Sequence, residues 1–531
     1  MIRLLSGWLF MFVIVATSAV CRAGEIGPTD LSRLIDNRLG IDAADCSRFA
    51  GDSQFLRRLT LDLAGRIPTI SEVYTYLGNT SESRRSDAIR RLMNSGIHRR
   101  NMATFWRHSW VPQADTPEFA SVAEGFELWL VHRLQEGARY DELVAEILTL
   151  DNSSLVAAST TPIGFYNANQ SKPENLAASA TRAFLGINLD CAQCHDHPFS
   201  RWTREQFWQT AAFFAPPETD PAGQIHLPKV RIPDTDLTYE PALLTRAKIQ
   251  WPQKPDSATL RRILADWMKQ DQERLLAKNA VNRLWAQFFG EAIIEPIDDL
   301  SRDEFQSGDR ADLLNDLAAT FIATGYNLDI LVEGIVGSHA YRLTSSATTP
   351  GDFMAVADVA PSAEAEGPPV SAPDDSAPLQ IARPIVRGLT GEQLYDSLQT
   401  AAGLPPERTD VGGRPVRSQS WNFSALFYTE RTHTAERSIA QALTLMNGSL
   451  VNEMTSPQGN PMLASVLSSP FMSFPEQIDT VFIAVLGRHA RAAELQAVSR
   501  NFDSGRDTSR EQHLGNLFWV LVNSSEFNTN H

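Results

Sequence analysis

The sequence predicts a mainly α protein: two helical domains joined by an irregular linker, with a disordered loop inside the second. Three observations predict it. Apolar residues recur three and four positions apart in one segment after another, which is the period of an amphipathic helix. Capping residues bracket those segments, with Ser, Thr or Asp before and Gly after. No Gly-rich phosphate loop, Rossmann fingerprint or internal repeat interrupts the pattern. With 531 residues and 43% hydrophobic content, the chain can bury a core in each of two or three domains. A net charge of -16 and a pI of about 5.2 argue against nucleic acid or anionic lipid as the main partner. The pairs Arg84-Arg85, Arg90-Arg91 and Arg99-Arg100 are spaced as a solvated helix face.

Residues 1–23 read as a signal peptide. Arg3 supplies the positive start, Leu4 to Ala16 an apolar stretch too short to span a bilayer comfortably, and Cys21-Arg-Ala23 a small-residue cleavage site. A lipoprotein reading through Cys21 is poorer, because bulky Val20 precedes it. Cleavage near Ala23 predicts export to the periplasm or beyond. No later stretch reaches spanning length, so no transmembrane segment is expected in the mature chain. The mature cysteines are then Cys46, Cys191 and Cys194, an odd count that does not suggest a disulfide framework.

The elements follow in order. Residues 28–50 read as a helix with Leu31, Leu34, Ile35 and Leu39 on one face. Thr69-x-x-Glu72 is a capping box, so a helix opens there and runs through Tyr76-Leu77. Just before it Arg57, Arg58, Asp62 and Arg66 crowd one short segment, which reads as a buried ion-pair lock between helices. Residues 83–112 read as helical, ending in the aromatic cluster Phe105-Trp106-Arg-His108-Ser-Trp110. Glu124 to Gln135 and Tyr140 to Leu150 are further helices. Phe165-Tyr166 begins a loop leading into Pro173-Glu-Asn-Leu176, and a helix then runs to Leu185 with Gly186 as its stop. Residues 28–215 make the first domain. Residues 216–256, rich in Pro, Asp and Thr, read as a linker or small hairpin. The second domain, 257–527, opens with helices at 262–270 and 277–290. A helix capped by Asp309 follows and ends at Gly325, and another covers 328–341. Residues 347–382 almost lack large apolar side chains and read as disordered. Helices resume at 390–402, 436–445, 475–486, 492–502 and 510–522.

The strongest chemical signal is Cys191-Ala-Gln-Cys-His-Asp-His197, with two cysteines and two histidines in seven residues. Cys-x-x-Cys-His is the c-type haem attachment signature. Residues three apart share a helical face, so Cys191 and Cys194 can reach the two vinyl groups of one haem, and His195 can offer its imidazole to the iron. His197, two residues on, points elsewhere. Trp202, Phe207, Trp208, Phe213 and Phe214 follow closely, a density that fits either a porphyrin enclosure or core packing. His108, Met446 and Met454 are the candidates for a sixth ligand.

These motifs together resemble the exported proteins, typical of planctomycetes, that join domain of unknown function 1549 to domain of unknown function 1553. The first is sometimes called a planctomycete cytochrome-like domain. The resemblance rests on Phe55-Leu-Arg-Arg…Leu61-Asp-Leu-Ala-Gly-Arg-Ile-Pro-Thr69, Phe165-Tyr166…Pro173-Glu-Asn-Leu176, and Leu185 through Phe199. In the second half it rests on Val281-Asn-Arg-Leu-Trp285, Phe288-Phe-Gly290, Pro296-Ile-Asp-Asp-Leu300, Ser338-His-Ala-Tyr-Arg-Leu343, Gln441 through Gly448, and Asn523-Ser-Ser-Glu-Phe527. One departure is Ser200, where the pattern leads one to expect an acidic residue. The resemblance implies export and the Cys-x-x-Cys-His-x-His element, and supplies no settled activity.

Three readings of the motif stay open. The first is haem c on Cys191, Cys194 and His195, serving electron transfer or an exported oxidoreductase, with exported redox or other proteins as partners. The second is a directly bound metal such as zinc on Cys191, Cys194, His195 and His197, structural or hydrolytic, with Pro198 breaking the helix. The third is a Cys191–Cys194 disulfide in a non-catalytic helical scaffold. Other constellations read as structural. Asp298, Asp299, Asp303 and Glu304 form an acidic loop, Asn282-Arg283 pairs with a neighbouring helix, and His339 is a packing histidine. No catalytic residue can be assigned from spacing alone, since a triad is recognised by geometry.

Overall fold

The computed structural model describes residues 26–531 apart from 43, 45–47, 116–119, 151–160, 199, 302–306, 346–382, 405–422, 425, 428–437 and 505–508. The expected signal peptide at 1–23, Cys46, Asp303, Glu304 and the loop expected at 347–382 therefore lie outside the described residues. The fold is mainly helical, as the periodicity predicts.

Local signals account for most helix boundaries. Thr69 accepts from the Glu72 N–H and the Glu72 carboxylate accepts from the Thr69 N–H, so the capping box opens the helix Ile70–Leu77. Gly186 closes the run begun at Pro173–Ala180 from the left-handed region, φ 61°, after a π-helical turn Thr181–Leu185. Other boundaries differ from the sequence reading. The first helix stops at Leu39, because Gly40 turns left-handed at φ 62° and its N–H bonds back to Asp36 and Asn37. The 83–112 segment is two helices, Arg84–Met93 and Gly96–Trp110, broken where Ser95 caps the second through the His98 N–H. Phe165 and Tyr166 sit on a short helix, Ile163–Ala168, not in a loop. The Asp309–Ala323 helix is capped by Gly308, with Asp309 already inside its first turn. Ser338 divides 328–341 into Leu328–Gly337 and His339–Arg342, its hydroxyl accepting from the Tyr341 N–H. The 216–256 segment contains two small antiparallel hairpins, Glu218–Thr219 with Ile225–His226 and Val230–Arg231 with Thr238–Tyr239.

Packing divides the described residues into two apolar cores. The first runs from Leu31 to Leu343, with Ile483 added, and takes in helices on both sides of the hairpin segment, among them Leu275–Phe289. The second is built from residues 389–527 with Leu61 and Ile67. A strand pair, Arg387–Gly388 with Thr529–Asn530, brings the end of the chain beside the first core.

Between the cores lies the expected ion-pair lock. Asp62 is fully buried and forms an ion pair with Arg387. It also accepts from Tyr341 Oη at 2.6 Å and Asn530 Nδ2 at 2.7 Å. Buried Arg58 donates to the carbonyls of Tyr341 and Leu343, and Arg57 to those of Glu526 and Phe527. Arg66 pairs with Glu72 instead, at 2.8 Å.

Candidate functional site

The cysteine motif sits on a 3₁₀ turn, Asp190–Gln193, that leaves the first core for the surface. Leu189 and Ala192 are buried and anchor it, while Cys191, Cys194 and His195 are exposed. Cys191 lies in the turn and Cys194 is its C-cap residue, at φ -103° and ψ -37°. Both thiols are unbonded. The expected helical turn is the tighter 3₁₀ form and ends at Gln193, before the second cysteine.

Three hydrogen bonds fix the loop after Cys191. The indole of buried Trp208 donates to the Gln193 carbonyl at 3.1 Å. The Asp196 carboxylate accepts from the Arg204 N–H at 2.8 Å, at the start of the Arg204–Ala211 helix. The His197 N–H donates to the Trp202 carbonyl at 2.8 Å. On the upstream side an Arg182–Asp190 ion pair ties the π-helical turn to the first residue of the cysteine turn.

His195 has a defined tautomer. Its Nδ1 lies 2.7 Å from the Asp196 carbonyl, which can only accept, so Nδ1 carries the proton. In the neutral ring Nε2 is then the nitrogen with a lone pair for an iron or other electrophile. His197 is turned inward, at 9% exposure. The four side chains therefore do not close around one point, and among the described residues no group of three His, Cys, Asp or Glu does so.

This donor set fits covalent haem attachment: two accessible thiols three residues apart, followed by an exposed imidazole whose Nδ1 is hydrogen-bonded and whose Nε2 is the remaining ring nitrogen. The aromatic residues after the motif take the packing role. Trp202, Phe207, Trp208, Phe213 and Phe214 are all buried in the first core. A cavity of about 330 Å³ beside the Arg204–Ala211 helix is lined by Glu205, Gln209, Arg246 and Trp251 among others, and by none of the motif residues. Of the sixth-ligand candidates, His108 lies 3.4 Å from Glu392, Met454 is buried in the second core, and Met446 is exposed.

The other constellations resolve as structure. Asp298 forms an ion pair with Arg283, and buried Asp299 accepts from Ser301 Oγ at 3.3 Å. Asn282 bonds the backbone of Ile294 in both directions. His339 meets Asp36 at 2.8 Å and stacks on Phe49. Spacing could not show that Asn279, Arg283, Leu300 and Ser301 pack around the segments that hold the cysteine turn, because they are about a hundred positions away from it in sequence.

Comparison with known proteins agrees with the motifs. Residues 30–219 match the model of a protein family of unknown function, DUF1549 or PSCyt2. Residues 260–440 match a second family of unknown function, DUF1553 or PSD1. No curated protein and no solved structure matches the chain. The chain belongs to the proteins that join a DUF1549 to a DUF1553 domain, the planctomycete cytochrome and secreted-domain pair.

Proposed function

We propose that this is an exported protein that carries a c-type haem on Cys191 and Cys194, with His195 as proximal ligand, and exchanges electrons with another exported protein. The observation that carries the reading is the exposure of both thiols and the His195 imidazole together, on and just past the 3₁₀ turn Asp190–Gln193. The cytochrome-like name of the first family points the same way, and the targeting pattern of residues 1–23 supports export.

The roles of the chain's own residues follow from the geometry. Cys191 and Cys194 anchor the group through thioether bonds. The Asp196 carbonyl accepts from His195 Nδ1 and orients the ring, leaving Nε2 as the nitrogen for the iron. Trp208 and the Asp196 carboxylate hold the turn against the first core, so the ligands keep their places. Once bound, the haem would supply one-electron chemistry, with its potential set by the axial ligand and by burial.

The test is the intact mass and visible spectrum of mature protein made in a host with c-type cytochrome maturation machinery. The reading expects the mass of one added haem and a Soret band. Cys191→Ser with Cys194→Ser abolishes the covalent haem, whereas His195→Ala leaves attachment intact and changes the iron spectrum. Colourless protein of plain polypeptide mass overturns the reading, and elemental analysis of that sample then separates a zinc site from a disulfide.

A further inference from the structure

The cysteine turn lies in the first family region, yet much of its frame comes from the second. Asn279 and Arg283 sit one turn apart on the Leu275–Phe289 helix, both buried, and face the π-helical turn Thr181–Leu185. Asn279 Nδ2 donates to the Ala183 carbonyl at 2.7 Å. Arg283 Nη2 donates to the Arg182 carbonyl at 3.1 Å, and its Nε to Asn279 Oδ1 at 3.0 Å. Asp298 forms an ion pair with the same guanidinium. Two residues on, the Leu300 N–H donates to the Gly186 carbonyl at 2.7 Å, and Ser301 Oγ receives the Trp202 indole N–H at 2.8 Å.

These contacts converge on residues 182–186 and on Trp202, the two flanks of the motif. π-Helical turns leave a backbone carbonyl poorly paired within the helix and recur at functional sites. Here the Arg182 and Ala183 carbonyls are taken by Arg283 and Asn279. With its backbone held, Arg182 extends its side chain to Asp190, the residue that opens the cysteine turn. The path from Asp298 to Cys191 runs through an ion pair to Arg283, a guanidinium bond to the Arg182 backbone carbonyl, an ion pair from the Arg182 side chain to Asp190, and the peptide bond to Cys191.

We infer that Arg283, seated by Asp298 and Asn279, is a positioning residue of the second family region that preorganises the Cys191–Cys194 pair of the first. The two regions then form one site, and Arg283 of Val281-Asn-Arg-Leu-Trp285 gains a role beyond helix pairing. The inference deepens the proposed haem site, but the preorganisation it asserts belongs to the thiols and can be measured without haem.

The probe is phenylarsine oxide, which binds a dithiol by forming two As–S bonds and releasing its oxygen as water with the two thiol protons. Its affinity depends on both sulfurs facing the same way, because ordering a loose pair costs free energy on binding. The full mature chain would be purified reduced and haem-free, titrated with the arsenical, and also alkylated at single thiols with iodoacetamide. Arg283→Met is expected to weaken arsenical binding about fivefold, roughly the effect of one lost orienting interaction, with Arg283→Lys in between. Iodoacetamide rates should not fall, since the thiols remain exposed. Arg310→Met, which removes a surface pair with Glu291 on the same region, is the control and should leave both readouts unchanged. If Arg283→Met does not fold, Asp298→Asn carries the test, because its side chain is 40% exposed and the change is isosteric. Unchanged arsenical affinity in a folded variant overturns the inference. Failure of the haem reading shows separately, as wild-type protein that stays colourless in the maturation host.

Discussion

His98 is 1% exposed, its Nδ1 is 3.0 Å from the Leu63 carbonyl, and burial pushes its imidazole down to about 4. An unfolded histidine titrates near 6.5, so between those values the unfolded chain binds a proton that the folded chain refuses. Stability therefore rises with pH across this window and is lost as pH falls from about 6.5 towards 4. His531, held down to about 4 by burial and by Arg57, acts in the same direction. Glu72, Glu494 and Glu526, whose carboxyls are held below the ordinary range with arginine partners, matter chiefly at lower pH. Urea unfolding at pH 7 and at pH 4.5 should thus differ by about 2 kcal/mol on account of His98 alone. His98→Asn does not titrate and should flatten that difference by a similar amount; an unaltered pH dependence would show that the histidine is not the sensor. Residue identity alone signals little of this. The sequence shows the crowd Arg57, Arg58 and Asp62 and so suggests a buried lock. The partners Arg387, Tyr341 and Asn530 are hundreds of positions away, and only the folded chain selects them.

At the scale of the element, helix ends with a complete local signal were legible, whereas helix interruptions and the early stop at Leu39 were not. Thr69-x-x-Glu72 and Gly186 are local signals whose physics is complete within a few residues, and both act as read. The break at Ser95 and the division at Ser338 depend on a serine choosing to cap a following turn rather than continue a helix, and periodicity does not record that choice. The cysteine turn is similar: its spacing is written in the sequence, whereas its 3₁₀ geometry and its end at Gln193 are not. Gly186 shows how closely such an element is fitted. It sits at φ 61°, and a Cβ there would come 3.0 Å from both Asn279 Oδ1 and Leu300 Cδ1. Gly186→Ala combines backbone strain with overpacking against the second family region, and should cost about 1–3 kcal/mol in thermal or urea unfolding. A surface glycine with left-handed backbone and open space, such as Gly40, provides the comparison. Gly40→Ala carries the strain without the overpacking, so equal losses at the two sites would mean that the contact with Asn279 and Leu300 adds nothing.

For the whole molecule, family boundaries and packing boundaries are different lines. The matched families meet across residues 220–259, where composition shifts and the hairpins lie. The first core crosses that line. The Leu328–Gly337 helix packs on Pro28–Leu39 so closely that a Cβ on Gly334 would overlap Leu31. Arg261, on the Ser257–Gln270 helix, donates to the Leu148 carbonyl at 2.6 Å and the Leu150 carbonyl at 2.6 Å. Composition cannot show such a partition, because an amphipathic helix advertises an apolar face without naming the face it will meet. The consequence can be tested with fragments. A chain ending at residue 256 keeps the whole first family region but leaves bare the surfaces that bury Leu276, Leu284, Leu331 and Ile335, each at most 2% exposed in the full chain. At about 25 cal/mol per Å² of apolar surface, losing several such side chains removes more than a domain's usual margin of stability. Fragment 24–256 should therefore bind the dye ANS and unfold without a sharp transition, whereas fragment 24–345, which restores the helices through His339–Arg342, should bind less dye and unfold cooperatively. A fragment 24–256 that melts cooperatively and ignores the dye would mean that the first family region folds alone. The helices from 257 to 343 would then be packed onto a finished core rather than forming part of it.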